Sequence, residues 1–148
     1  MASWKNRPKA SELFKKLPPI LKQAMAVQLK SEVTGLVDAM RRAAPVSDDL
    51  EKTPGQFRDS IHEYENPSRE LSYRIVADAK DVKGAFIGPH IEFGHLARDG
   101  SHVPPKPSFF PTYRAWKRPM RRRMNAAARG AVKRLIGTIG LWGGEGNG

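Results

Sequence analysis

An α+β fold is what this sequence predicts, on three observations. Two segments, near 19–44 and 110–135, carry apolar residues at steps of three and four, the spacing of a single stripe on a helix. Between them, residues 57–64 and 71–77 alternate in the manner of strands, the second more cleanly than the first. Turn-forming residues gather between the strand-like segments and beyond them: Pro54-Gly55, Asn66-Pro67-Ser68, Gly100 and Pro104-Pro105. The expected architecture is a long N-terminal helix, a small antiparallel sheet of three to four strands with a long loop, and a C-terminal basic helix. The 148 residues suit one domain that buries a core without staples.

Residues 1–10 are polar and basic and are expected to be flexible. Ser11 offers a cap for a short helical turn that Pro18-Pro19 should end. From Pro19 to Ala44, the residues Leu21, Met25, Leu29, Val33, Leu36, Val37, Met40 and Ala44 form one stripe. A helix of that length is roughly 39 Å long, and Pro45 stops it. Residues 46–55 read as a loop, then Phe57–Tyr64 and Leu71–Ala77 as an antiparallel hairpin. Asp78–Gly84 should be a polar turn, Ala85–Ile87 the opening of a third strand, and Ile91-Glu92-Phe93 a segment that closes or caps the sheet.

Residues 94–108, rich in proline and glycine, predict a long loop, and such loops in compact domains are often functional. The second stripe runs Phe109, Tyr113, Trp116, Met120, Met124, Ala127, Ala131, Leu135, with Pro119 expected to kink the helix or split it in two. The glycine-rich tail, 143–148, should be flexible.

Composition excludes several function classes. There is no cysteine, so neither a disulfide framework nor a thiolate metal site is possible. No apolar run approaches the ~20 residues of a membrane span, and no apolar segment follows the basic N-terminus, so a soluble protein made in the cytoplasm is expected. His90 and His95 are five apart, the wrong spacing for one helix face, so no metal site is expected. No nucleophile elbow or phosphate-binding glycine loop is present, and the pair Glu63 and Glu65 lacks a visible apolar pocket to tune it. Neither enzymatic activity nor a cofactor is expected.

Charge is the strongest physical feature. Of 26 Lys and Arg, ten lie beyond residue 99, where Glu145 is the single acid. Arg114, Lys117, Arg118, Arg121, Arg122, Arg123, Arg129, Lys133 and Arg134 share one predicted helix. Such a surface suits a polyanion or an acidic protein face, or is a solvated helix side. Only Asn125 accompanies the arginines as a base-reading amide, so non-specific contact with DNA backbone or with an acidic protein surface is favoured over base readout.

The order of four short motifs resembles a known family. Ala44-Pro45-Val46 closes the first helix, and Thr53-Pro54-Gly55-Gln56-Phe57-Arg58-Asp59-Ser60-Ile61 follows. Then come Ile91-Glu92-Phe93-Gly94-His95 and Pro107-Ser108-Phe109-Phe110-Pro111. This series, spanning residues 20–135, is similar to the head–tail joining, or tail-completion, family of long-tailed bacteriophages. Pro54 splits the family's Thr-Gly pair, and His95 stands where threonine is usual.

The resemblance implies a structural virion protein of the neck. It forms a homo-oligomeric ring, commonly hexameric, that joins or completes the head–tail junction around the DNA channel. The implied partners are the head connector or head-closure protein and the tail tube or tail terminator proteins, with genomic DNA close by and no membrane. The implied location is the virion, assembled in the host cytoplasm. The expected interface residues are Glu92, Phe93, Gly94, His95, Arg98, Arg121, Arg122 and Arg123. A tail terminator or minor tail protein of the same virion is one alternative. A small basic nucleic-acid-binding protein is the alternative from another class.

Overall fold

A computed structural model describes residues 7–46 and 53–138, with side chains from 18 to 137. Residues 1–6 of the basic N-terminus, the 47–52 stretch and the 143–148 tail lie outside the described residues. The elements run α1 (Arg7–Ala43), α2 (Gln56–Asp59), β1 (Ile61–Glu65), β2 (Tyr73–Ala77), α3 (Gly88–Phe93), β3 (His95–Leu96), β4 (His102–Val103) and α4 (Phe109–Thr138). The class is α+β, as the sequence predicts. The chain divides into two compact units: Ser31–Met120, and the residues up to Lys30 together with those from Arg121.

The helical stripes are the best-read features. Val33, Leu36, Val37 and Met40 are all buried on α1, and Ala44 follows them into the core. Contrary to expectation, Pro18-Pro19 does not end a first helix, because α1 passes through both prolines. Proline's fixed φ is itself helical, so the loss at each is one backbone hydrogen bond and not the helical path. Pro119 likewise lies within a single helix, α4. The second stripe holds with one departure, since Tyr113 is exposed.

The sheet is smaller than predicted. Instead of one sheet of three to four strands there are two separate two-stranded hairpins, β1–β2 and β3–β4. In the first, Ile61 pairs with Ala77 and Glu65 with Tyr73, antiparallel. The expected strand from Phe57 is instead the single turn α2, entered from Gly55 at φ 83°. Phe57 on α2 and Ile61 at the start of β1 are both buried in the core. The expected third strand shrinks to one bridge between Lys80 and Phe86. Asp81 explains this: its Oδ1 accepts the backbone N–H of Lys83 and Ala85, which pulls the chain into a tight turn. Ile91-Glu92-Phe93 is helical, part of α3, and not a strand end.

In the Ser31–Met120 unit, the core joins Leu36, Val37, Met40, Ala44, Phe57, Ile61, Ala79, Ile87 and Ile91, with Ile75, Ala77, Phe109 and Trp116 packed against it. Gly35 lets α4 approach α1: a Cβ there would sit 3.0 Å from the Trp116 ring. The indole Nε1 donates to the buried carboxylate of Glu32 at 3.1 Å, a link between residues 84 apart. In the other unit, Leu29, Ala131 and Leu135 are buried.

Candidate interaction surface

The 94–108 stretch is better ordered than a free loop. The β3–β4 hairpin occupies its middle, with His95 opposite Val103 and Leu96 opposite His102. Its end is tied back, because the Lys106 N–H donates to the Ile91 carbonyl at 2.8 Å. Gly94 has φ 79°, and a Cβ on it would come within 2.8 Å of the Val103 carbonyl oxygen. Only glycine fits there, since an L side chain would meet both strained backbone and a clash.

Glu92 is 6% exposed and holds the start of α4. Its Oε2 accepts the N–H groups of Ser108 at 2.9 Å and Phe109 at 3.1 Å. Its Oε1 accepts the N–H of Phe110 at 3.0 Å. The first turn of α4 carries no acid of its own. The carboxylate therefore supplies from α3 both the acceptors and the negative charge that a helix start favours. Glu92 was expected at an interface, but its carboxylate is spent inside the chain.

Phe93, next to it, points the other way and is 68% exposed. Its ring lies 6.2 Å from that of Phe110, which is 45% exposed and stands edge-on to Phe109 at 5.7 Å. Phe109 alone of this pair packs on the core. Beneath the exposed rings is an apolar groove of about 320 Å³. Its walls are Ile75, Val76 and Ala77 of β2, Gly88 and Pro89 of α3, and Phe109 and Phe110 of α4. Tyr113, Arg114, Lys117 and Arg118 are exposed on the next turns of α4.

The other expected interface residues scatter more widely. His95 is half-buried, its ring edge-on to His90 at 5.4 Å between centroids. Arg98 is exposed in the tight turn between β3 and β4, where Asp99 Oδ1 accepts the Ser101 N–H and hydroxyl. The Ser101 hydroxyl and N–H hold the Asp99 carboxyl below its usual range. Arg121, Arg122 and Arg123 are exposed on α4 in the other compact unit. That unit has its own cleft, of about 550 Å³, between the Ile20–Gln28 and Ala126–Arg134 stretches. Among the described residues no group of three or more His, Asp or Glu could hold a metal ion. No helix there is long and apolar enough to cross a membrane.

Sequence reading did not find the groove. Its β2 wall was legible as a strand, but nothing in the pattern showed that β2 would lack a second neighbour. The Glu92 cap was hidden because its three donors lie 16–18 residues away. Comparison with protein-family models, with curated proteins and with solved structures finds no match in any of the three.

Proposed function

We propose that this chain is a structural protein of the tailed-phage neck, which assembles with further copies into a ring at the head–tail junction around the DNA channel. One observation carries the reading. Three of the four motif segments that resemble the head–tail joining family meet at one place, and there they build a surface. Phe57 of the first fills the core, Glu92 of the second caps the helix that the third begins, and Phe93 and Phe110 are left exposed around an apolar groove. Adjacent exposed aromatics of this kind mark a surface that another protein covers.

The basic face of α4 fits the same reading. Nine Lys or Arg between Arg114 and Arg134, with no acid among them, suit an acidic face on a neighbouring ring or the DNA in the channel. A protein partner is favoured, because a channel that grips phosphates tightly would hinder DNA release. The same cations favour the second reading, a small protein that binds duplex DNA without base readout.

The experiment is deletion of the gene from a producing phage. Separate full heads and finished tails, with the protein restored to the neck by complementation, are the expected outcome. Normal particles without it would refute the reading. For the second reading, a monomer whose duplex affinity falls steeply with salt is the deciding result.

A further inference from the structure

The β1–β2 sheet is unfinished on both sides, and its two free edges are complementary. The Asn66 N–H donates to the Ser72 carbonyl at 2.8 Å, so the 66–72 pair is one of the hydrogen-bonded pairs of the antiparallel ladder. Alternation along the β1–β2 register makes Tyr64–Arg74 and His62–Val76 hydrogen-bonded pairs too. The N–H and C=O groups of Glu63 and Glu65 on β1, and of Tyr73, Ile75 and Ala77 on β2, therefore point outward. The Ile61 carbonyl obeys this rule, since it faces out and accepts from Arg41 Nε at 2.9 Å. Among the described residues no other backbone group bonds to Tyr73, Ile75 or Ala77.

The free edge of β2 opens into the apolar groove. Three consecutive residues, Ile75, Val76 and Ala77, line it, so an edge and not a face forms that wall. The groove thus offers a row of unpaired backbone groups beside exposed aromatic rings, the form that takes an added strand. Its α4 side continues into exposed Arg114, Lys117 and Arg118.

We propose that the occupant is β1 of a second copy of this chain. The observation that selects it is charge. β1 reads Ile61-His62-Glu63-Tyr64-Glu65, with two acids, no Lys or Arg, and its own free edge at those two acids. Ile61, Glu63 and Glu65 share one face, the face that turns Ile61, Ile75 and Ala77 toward the core. Set antiparallel beside β2 in a continued sheet, with the outward groups of the two strands opposed, the partner's Glu63 and Glu65 fall on the face of Ile75 and Ala77, the side occupied by α4 and its cations. The contact is head-to-tail, because the β1 edge meets the β2 edge and each copy keeps one of each free. Such contacts close into rings or run on as filaments, whereas β2 against β2 would stop at a dimer. This deepens the function proposed above: it rests on assembly from identical copies and not on the place of the assembly in a virion.

The chain has no cysteine, which makes cross-linking direct. Glu63→Cys or Glu65→Cys chains are co-expressed with Tyr73→Cys or Ile75→Cys chains and oxidised. Disulfide-linked dimers are expected only in mixtures of a β1 variant with a β2 variant. In addition, Glu63→Lys with Glu65→Lys should weaken self-association by about tenfold or more with the far-ultraviolet circular dichroism unchanged. Dimers formed by a β2 variant alone would overturn the proposal in favour of two-fold pairing. An oligomer that no mixture cross-links, a wild-type chain that stays monomeric, or a charge reversal without effect on assembly would also overturn it. Because these readouts use purified protein, a ring with this contact that is absent from virions would overturn the neck assignment and leave this interface standing.

Discussion

The Ser31–Met120 unit and the unit built from the chain's two helical ends differ in how their stability arises. In the first, residues from α1, α2, β1, α3 and the 79–87 turn interlock around Phe57, Met40, Ile61, Ile87 and Val37, all almost wholly shielded from water. In the second, Leu29, Ala131 and Leu135 are buried, Val27 is 68% exposed, and small residues line an open cleft. The first unit holds its shape through side chains far apart in sequence. The second relies on helical segments rich in exposed Lys and Arg. The lesson is that the surface with specific shape, the groove by Phe93 and Phe110, stands on the firm unit, while the net positive charge, 13 Lys and Arg against two acids, stands on the other. Shape-dependent contacts need a rigid base, whereas charge acts across a Debye length of about 8 Å at physiological salt and tolerates motion.

The largest way to break that contrast is Phe57→Ala. Phe57 is 1% exposed at the centre of the core, and its loss should cost about 3–5 kcal/mol in a urea unfolding experiment. A cost below about 1 kcal/mol would mean that the first unit is no better packed than the second.

Glu92→Ala should come next, at about 2–3 kcal/mol, since it strips three N–H groups at the start of α4 of their acceptor. Amide exchange should speed up at Ser108, Phe109 and Phe110 before it does at Phe57. Uniform acceleration would show that the cap is not a local lock.

Replacing Arg121, Arg122 and Arg123 together by Gln should move the unfolding free energy by no more than about 0.5 kcal/mol. Arg and Gln have similar helix propensity, and all three are exposed. On the neck reading the same variant should fail to join heads to tails. Normal joining with leaking DNA would turn these charges toward the channel, and no defect at all would make them a solvated face.

The smallest expected effect concerns pH. Backbone N–H groups, first that of Ala85, hold the Asp81 carboxyl below its ordinary value. A depressed carboxyl supports its turn above the ordinary aspartate range, and that support is lost as pH falls through the lowered value. Amide exchange at Lys83 and Ala85, corrected for intrinsic rates, should therefore accelerate only in acid. Acceleration between pH 5 and 8 would contradict this.

The same contrast explains what the sequence disclosed. Both helical stripes were legible because they depend only on local spacing: Val33, Leu36, Val37 and Met40 are buried as their steps of three and four require. The β1–β2 hairpin was legible in outline from its alternation and the Asn66-Pro67 turn. Element type near Phe57 was not, because residues 57, 59 and 61 fit a strand as well as a helical turn until Gly55 takes φ 83°. Nor was the sheet's width, which the Asp81 turn cuts off at two strands. At the site, Phe93 and Gly94 were expected at an interface; Phe93 is exposed, and Gly94 takes φ 79° at the entry to β3. Glu92 beside them was not separable from them, because its role depends on donors beyond the β3–β4 hairpin.

Whether this chain completes its exposed edge and groove with copies of itself is tested most directly by the native mass of the purified protein. A closed oligomer of one fixed copy number, stable on dilution and intact in moderate salt, is the expected result. A monomer at every concentration, binding duplex DNA with an affinity that falls steeply with salt, would contradict it.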